Sequence, residues 1–143
     1  ANAGLAGEAI AAADFDLAFC HNDGVASNVM LGADGAVKLV DFDVAGDNDP
    51  WFDVAAVLNE AFPFAAERQE AIERFNGAYD ARLFHRCELY AAVDDLIWGL
   101  WGVLVAATSP RGGIEFFKYG QWRLLRAQIG MQARSFEDCL RRL

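Results

Sequence analysis

The sequence predicts an α+β fold, and three observations carry that reading. Short apolar runs with a glycine turn between them crowd the first 48 residues, a helical pattern fills most of the remaining chain, and no linker or low-complexity tract divides the two. Residues 1–143 are therefore read as a single domain, with a strand-bearing front end at 1–48 and a helical body at 49–143.

The elements run in order. Residues 7–13 can form a short helix, and 17–20 (Leu17, Ala18, Phe19, Cys20) have the apolar, partly aromatic character of a short strand. Residues 29–31 and 37–40 flank a turn at 32–35, where the Asp34-Gly35 pair marks a hairpin because glycine accepts positive φ without steric cost. Pro50 suits a first helical turn after Asp49, and 51–61 contains no breaker. Further helices are expected at 65–79, 81–107 and 115–140, with a loop at 109–113, where Ser109, Pro110 and Arg111 precede two glycines.

With 55% hydrophobic and 23% charged residues, the chain has the balance of an ordinary globular domain. A net charge of −9, with Lys38 and Lys118 the only lysines, argues against a nucleic-acid partner and suits a cationic substrate or a divalent metal. Cys20, Cys87 and Cys139 are widely spaced and odd in number, which points to reduced thiols. Residues 1–13 have no basic stretch of the kind that begins a signal peptide. The longest uncharged apolar run, 96–107, is shorter than the roughly 20 residues that span a bilayer. A soluble, cytoplasmic protein without membrane insertion is expected.

Chemistry concentrates in three pieces: His21-Asn22-Asp23, then Asn28 five residues after that Asp, then Asp41-Phe42-Asp43 at the far end of the hairpin. Phosphoryl transfer needs this set. An Asp accepts the proton of the attacking hydroxyl, while an Asn and a second Asp hold the Mg²⁺ that neutralises the transferred group. Asp23 and Asn28 share one loop, and the hairpin returns the chain so that Asp41 can face them. A lone Asp is most often a solvated surface residue; three matched pieces in order are far more specific.

Phe19 to Asp23, Asn28 to Leu31 and Val40 to Asp43, with Phe52 to Ala55 and Asn59-Glu60 beyond, resemble the choline/ethanolamine kinase branch of the aminoglycoside-phosphotransferase-like kinases. The likeness runs from about 19 to about 126. It implies the C-terminal lobe of a protein-kinase-like fold, in which 1–48 hold the catalytic loop and metal-binding hairpin and 49–143 bind the substrate. By position, Asp23 resembles the catalytic base, Asn28 and Asp41 the Mg²⁺ ligands, and His21 a residue that braces the loop. Asp53 would be structural, although an acid favoured by the helix dipole would occupy the same place. Gly24 departs from the family, which usually has a bulky apolar residue there.

Trp98 and Trp101 lie three residues apart, on one face of their predicted helix, with Phe116, Phe117 and Tyr119 further along. Aromatics at that spacing are more often plain core. A quaternary ammonium, however, is held by aromatic faces, and the resemblance matches Trp98, Trp101 and Tyr119 to the choline-binding segment. Glu60, Asp43 and Asp49 are candidates to add negative charge beside the cation, each as readily a solvated carboxylate.

No GxGxxG or GxxxxGK[ST] occurs, and residues 1–20 contain no Lys or Arg. A kinase also needs a phosphate-covering lobe with its Lys, so that nucleotide lobe is expected to be missing from this chain. Negligible activity of this stretch alone is the expectation, as is an exposed apolar face able to pair two copies into a homodimer. The function expected is an ATP- and Mg²⁺-dependent phosphorylation of choline, ethanolamine or a similar amino alcohol. Two alternatives stay open: a kinase of an aminoglycoside, thiamine or homoserine, and a kinase-like binding module that does no chemistry.

Overall fold

The structure, a computed structural model, describes residues 1–111 and 114–143. Helix α1 (Asn2–Ala12) begins five residues before the expected helix, since Ala6 is fully buried and the Asn2 side-chain amide donates to Met131 O at 2.7 Å. Four short strands come next: β1 (Ala18–Cys20), β2 (Val29–Leu31), β3 (Val37–Leu39) and β4 (Gly46–Asn48). β2 and β3 form the predicted hairpin, with Gly35 at φ +80° and the Asp34 carboxylate accepting from Ala36 N at 3.0 Å. β4 was not foreseen. Its Gly-Asp-Asn composition opposes a strand, and antiparallel pairing with β1 imposes one.

The helical body consists of α2 (Pro50–Ala61), α3 (Ala65–Asn76), α4 (Ala81–Thr108), α5 (Phe116–Gln132) and α6 (Phe136–Arg141). Asp49 caps α2 by accepting from Trp51 N at 3.0 Å, as the sequence foretold. α3 stops short of the expected residue 79 because Gly77 takes a left-handed conformation at φ +83°. The helix expected over 115–140 is two helices: the chain turns at 133–135, and Phe136 and Cys139 are thereby buried. No proline or glycine marks that turn; burial of Phe136 against Ala6, Leu89 and Met131 overrides local propensity. The expected loop at 109–113 falls partly on residues 112 and 113, which lie outside the described residues.

α4 is the axis of the molecule: α1, α2, α3, α5 and α6 all pack on it. One apolar cluster joins α1, α4, α5 and α6 through Ala6, Leu89, Met131 and Phe136. A second joins α2, α3 and α4 through Ala55, Leu58, Ile72 and Tyr90. The shortness of the run 96–107 does not settle the membrane question, because α4 as a whole is long and apolar enough to cross a bilayer. Its centre nevertheless carries Asp94 and Asp95, both buried and paired with arginines of α5. The three cysteines are free and buried.

Where α4 meets α5 the backbones nearly touch. A Cβ on Gly102 would lie 2.8 Å from Gly120 Cα, and one on Gly120 would lie 2.7 Å from Val103 N. Neither neighbour can rotate away, as both belong to main chain. Gly120→Ala is therefore expected to lower stability by about 1–3 kcal/mol through overpacking, read as a reduced urea midpoint. An unchanged midpoint would show that the helices separate freely.

Candidate active site

The loop after β1 is held from below by one carboxylate. Asp53, in the first turn of α2, accepts from His21 N at 2.6 Å through one oxygen and from Asn22 N at 2.8 Å through the other. The structural role expected of Asp53 thus has a specific content: it fixes two consecutive peptide units of the loop. Asn22 sits at φ +64°, a conformation asparagine tolerates, and its side chain donates to Val44 O, two residues before β4, at 3.1 Å and ties the loop to β4 by accepting from Asn48 Nδ2 at 2.8 Å.

His21 is 6% exposed. Its Nε2–H donates to Val40 O at 2.8 Å, and its ring lies 4.6 Å from that of Phe42, so it braces the hairpin's return. Asn28 Nδ2 donates to Asp23 Oδ2 at 2.9 Å and to Asp23 O at 3.2 Å, while Val40 N donates to Asn28 O at 3.0 Å. The structure therefore joins Asp23 directly to Asn28 and sets Asp41, at φ +66°, between two residues anchored to Asn28 and His21. The Asp41 residue itself is exposed. Gly24 also acquires a reason: a Cβ there would come within 2.7 Å of Ala56 Cβ and 3.3 Å of Val57 N, so the missing side chain lets the loop rest on α2.

Beside Asp23 opens a cavity of about 610 Å³. Its wall includes Asp23, Val25 and Ser27 from the loop, Glu60 from α2, Trp98 and Trp101 from α4, and Phe116 and Tyr119 from the α5 side. The two indoles meet edge to face at 5.5 Å, and Trp101 meets Phe116 at 5.7 Å. Asp23, Glu60, Trp98, Trp101 and Tyr119, five residues singled out from the sequence, thus share one cavity. Asn28 and Asp41 lie outside its described wall. Asp49 cannot serve a cation there: it is fully buried, accepts from Tyr90 OH at 2.7 Å, and pairs with Arg86 Nε at 2.7 Å. Asp43 is exposed and likewise outside the wall.

Behind the cavity lies a charged network that the sequence reading missed. Arg123 is 2% exposed; it contacts Asp94 at 2.7 Å, Glu60 at 2.9 Å and Asp95 at 3.1 Å. Arg126 adds contacts to Asp95 at 3.2 Å and Glu60 at 3.7 Å. Burial pushes the Asp94 carboxyl up to about 6, against the pull of Arg123. Burial also raises the Tyr119 hydroxyl. The available signal was two adjacent acids in the apolar stretch of α4, with two arginines three residues apart on the next helix.

Residues 5–96 match the APH family, a phosphotransferase enzyme family. The fold is similar to that of a choline/ethanolamine kinase family protein from Mesorhizobium loti, with a TM-score of 0.86, 28% identity, and coverage of 97% of this chain and 47% of that one. It is also similar to the choline kinase LicA from Streptococcus pneumoniae, with a TM-score of 0.74 and 25% identity, over 91% of this chain and 45% of that one. Probable choline kinase 1 of Arabidopsis thaliana is 25% identical over 64% of this chain and 34% of its own length. The chain thus spans about a third of that curated relative and about half of each solved structure.

Replacing Arg123 by Met would leave Asp94, Asp95 and Glu60 without their shared cation, and about 3–5 kcal/mol of stability is expected to be lost in urea unfolding. The pH dependence has a definite sign. Asp94 holds its proton up to about 6 when folded, against an ordinary value of 3.8, so the folded chain binds more protons between those values. Its contribution to stability therefore falls as pH rises through that window. The stability difference between the native chain and Asp94→Asn should shrink from pH 4 to pH 6; a constant difference would contradict the burial argument.

Proposed function

The chain belongs to the phosphotransferase enzyme family, and from that membership we propose that it carries the base, the metal-holding residues and the acceptor site of a kinase for choline, ethanolamine or a similar amino alcohol, with ATP as donor. The observation that supports this most strongly is the single cavity in which Asp23 shares a wall with Glu60 and the aromatic group Trp98, Trp101, Phe116 and Tyr119.

In this reading Asp23 takes the proton of the acceptor hydroxyl. The amide of Asn28 points its nitrogen at the Asp23 carboxylate, which aligns that carboxylate and turns the amide oxygen the other way. Among the described residues no group of three His, Cys, Asp or Glu side chains is placed to hold a metal. The donor set suits Mg²⁺ all the same, since that ion is commonly held by one or two protein oxygens together with substrate phosphates. Asn28 and Asp41 would hold it. Bound there, Mg²⁺ would neutralise charge on the donor phosphates.

The acceptor's cationic head suits the aromatic wall, where each good cation–π contact contributes about 0.5–2 kcal/mol. Glu60 adds a carboxylate to the same wall. Covering the donor phosphates is assigned to sequence outside the 143 residues, because Lys38 and Lys118 are the only lysines and neither lies upstream of the catalytic loop. The exposed Leu31 and Val37, paired across the hairpin, offer apolar surface through which two copies of this stretch would pair.

In the intact protein that carries this chain, turnover of choline with ATP is expected, and Asp23→Asn should reduce kcat by about 10²–10⁴-fold, the range for removal of a general base. Trp98→Ala should raise KM for choline more than KM for ATP. Preference for an aminoglycoside, thiamine or homoserine would replace the acceptor assignment, and choline binding without any phosphorylation would point to a non-catalytic module. The 143-residue stretch by itself should show negligible turnover; a rate near that of the intact protein would overturn the assignment of phosphate cover to other sequence.

A further inference from the structure

We propose that Arg123 is a positioning residue for the acceptor's cationic head: buried behind the cavity, it fixes the Glu60 carboxylate in the wall and backs the Tyr119 ring beside it. The inference rests on the acceptor site proposed above and adds what sets its selectivity.

The geometry comes from two helices. Arg123 on α5 reaches Glu60 on α2 at 2.9 Å, and its guanidinium carbon lies 5.8 Å from the centre of the Tyr119 ring. Both partners line the cavity, while Arg123 does not. A glutamate with three side-chain torsions and a quarter of its surface open would otherwise swing among rotamers, and ordering it would fall to the substrate. Arg123, at 2% exposure, supplies that order in advance.

A cation placed beside Glu60 should also weaken its attraction for a second cation. The remainder of the network prevents this. Asp94 and Asp95 face Arg123 at 2.7 and 3.1 Å, and Arg126 pairs with Asp95 at 3.2 Å while reaching Glu60 more distantly, at 3.7 Å. Two arginines balance two buried aspartates, and Glu60 remains as the surplus negative charge on the side that opens to the cavity. The cluster thus holds Glu60 still without cancelling it.

The test compares the intact wild-type protein with Arg123→Lys, Arg123→Met and Glu60→Gln, reading KM for choline, KM for ATP, kcat and the thermal midpoint. Lysine keeps the charge but not the planar fork that spans several carboxylates, so Arg123→Lys should raise the choline KM by roughly tenfold, the scale of one hydrogen bond to a charged group. The ATP KM should stay within about twofold, as expected for a distant, uncoupled site. Glu60→Gln should raise the choline KM similarly, and the double variant should be little worse than either single one, because both remove the same interaction.

A lowered thermal midpoint with an unchanged choline KM would overturn the proposal, as would full additivity in the double variant. Should Arg123→Met fail to fold, Arg123→Lys and its cycle with Glu60→Gln decide the question. The wild type separates this inference from its premise: absence of amino-alcohol turnover there defeats the functional reading and this inference together, whereas normal wild-type turnover with indifferent variants defeats the positioning role alone.

Discussion

The near contact of main chain between α4 and α5 is the constraint on which the cavity depends. Gly99 and Gly102 on one helix and Gly120 on the other let the axes approach until backbone meets backbone. Trp98 and Trp101 alternate with those glycines along α4, and Phe116 and Tyr119 lie in the turn before Gly120. The aromatic wall is thus set by rigid helices rather than by loops. One turn further on, the same closeness brings Arg123 within reach of Asp94 and Asp95, so that packing and electrostatics share one crossing.

The catalytic loop is built in the opposite manner, from hydrogen bonds rather than apolar contact. Asp53 takes two consecutive amides, Asn22 bonds to β4, and His21 bonds to the residue before Asp41. The two non-glycine residues with positive φ, Asn22 and Asp41, are of the types that adopt this conformation at least expense. Sequence choice and backbone shape therefore agree where the loop bends most sharply.

Much of this was legible beforehand, for identifiable reasons. The Asp34-Gly35 turn and the Asp49-Pro50 helix start are local signals, and each element they announced is present, while Asp23 and Asn28, five residues apart, are joined by a side-chain hydrogen bond. Features created by tertiary contact were not legible. β4 exists because β1 supplies its partner, the turn at 133–135 exists because Phe136 is buried, and Arg123 looks like any surface arginine until α4 is laid beside it. Gly24 looked like a departure from the family until α2 appeared beneath it. Glu60, Asp43 and Asp49 stood as equal candidates in the sequence, and only the folded chain puts Glu60 in the cavity wall and dismisses Asp49, whose carboxylate is occupied by Tyr90 and Arg86.

The pairing of β1 with β4 has one more consequence. Ala18 faces Asn48 and Cys20 faces Gly46, so the segment from His21 to Ala45 is closed into one loop by a single clasp. The entropy of closing such a segment rises only with the logarithm of its length, about 0.6 kcal/mol per doubling. The tip at 32–35 is exposed and carries none of the side chains that line the cavity, which makes it the natural point for evolution or engineering to splice in residues while the helical scaffold stays as it is.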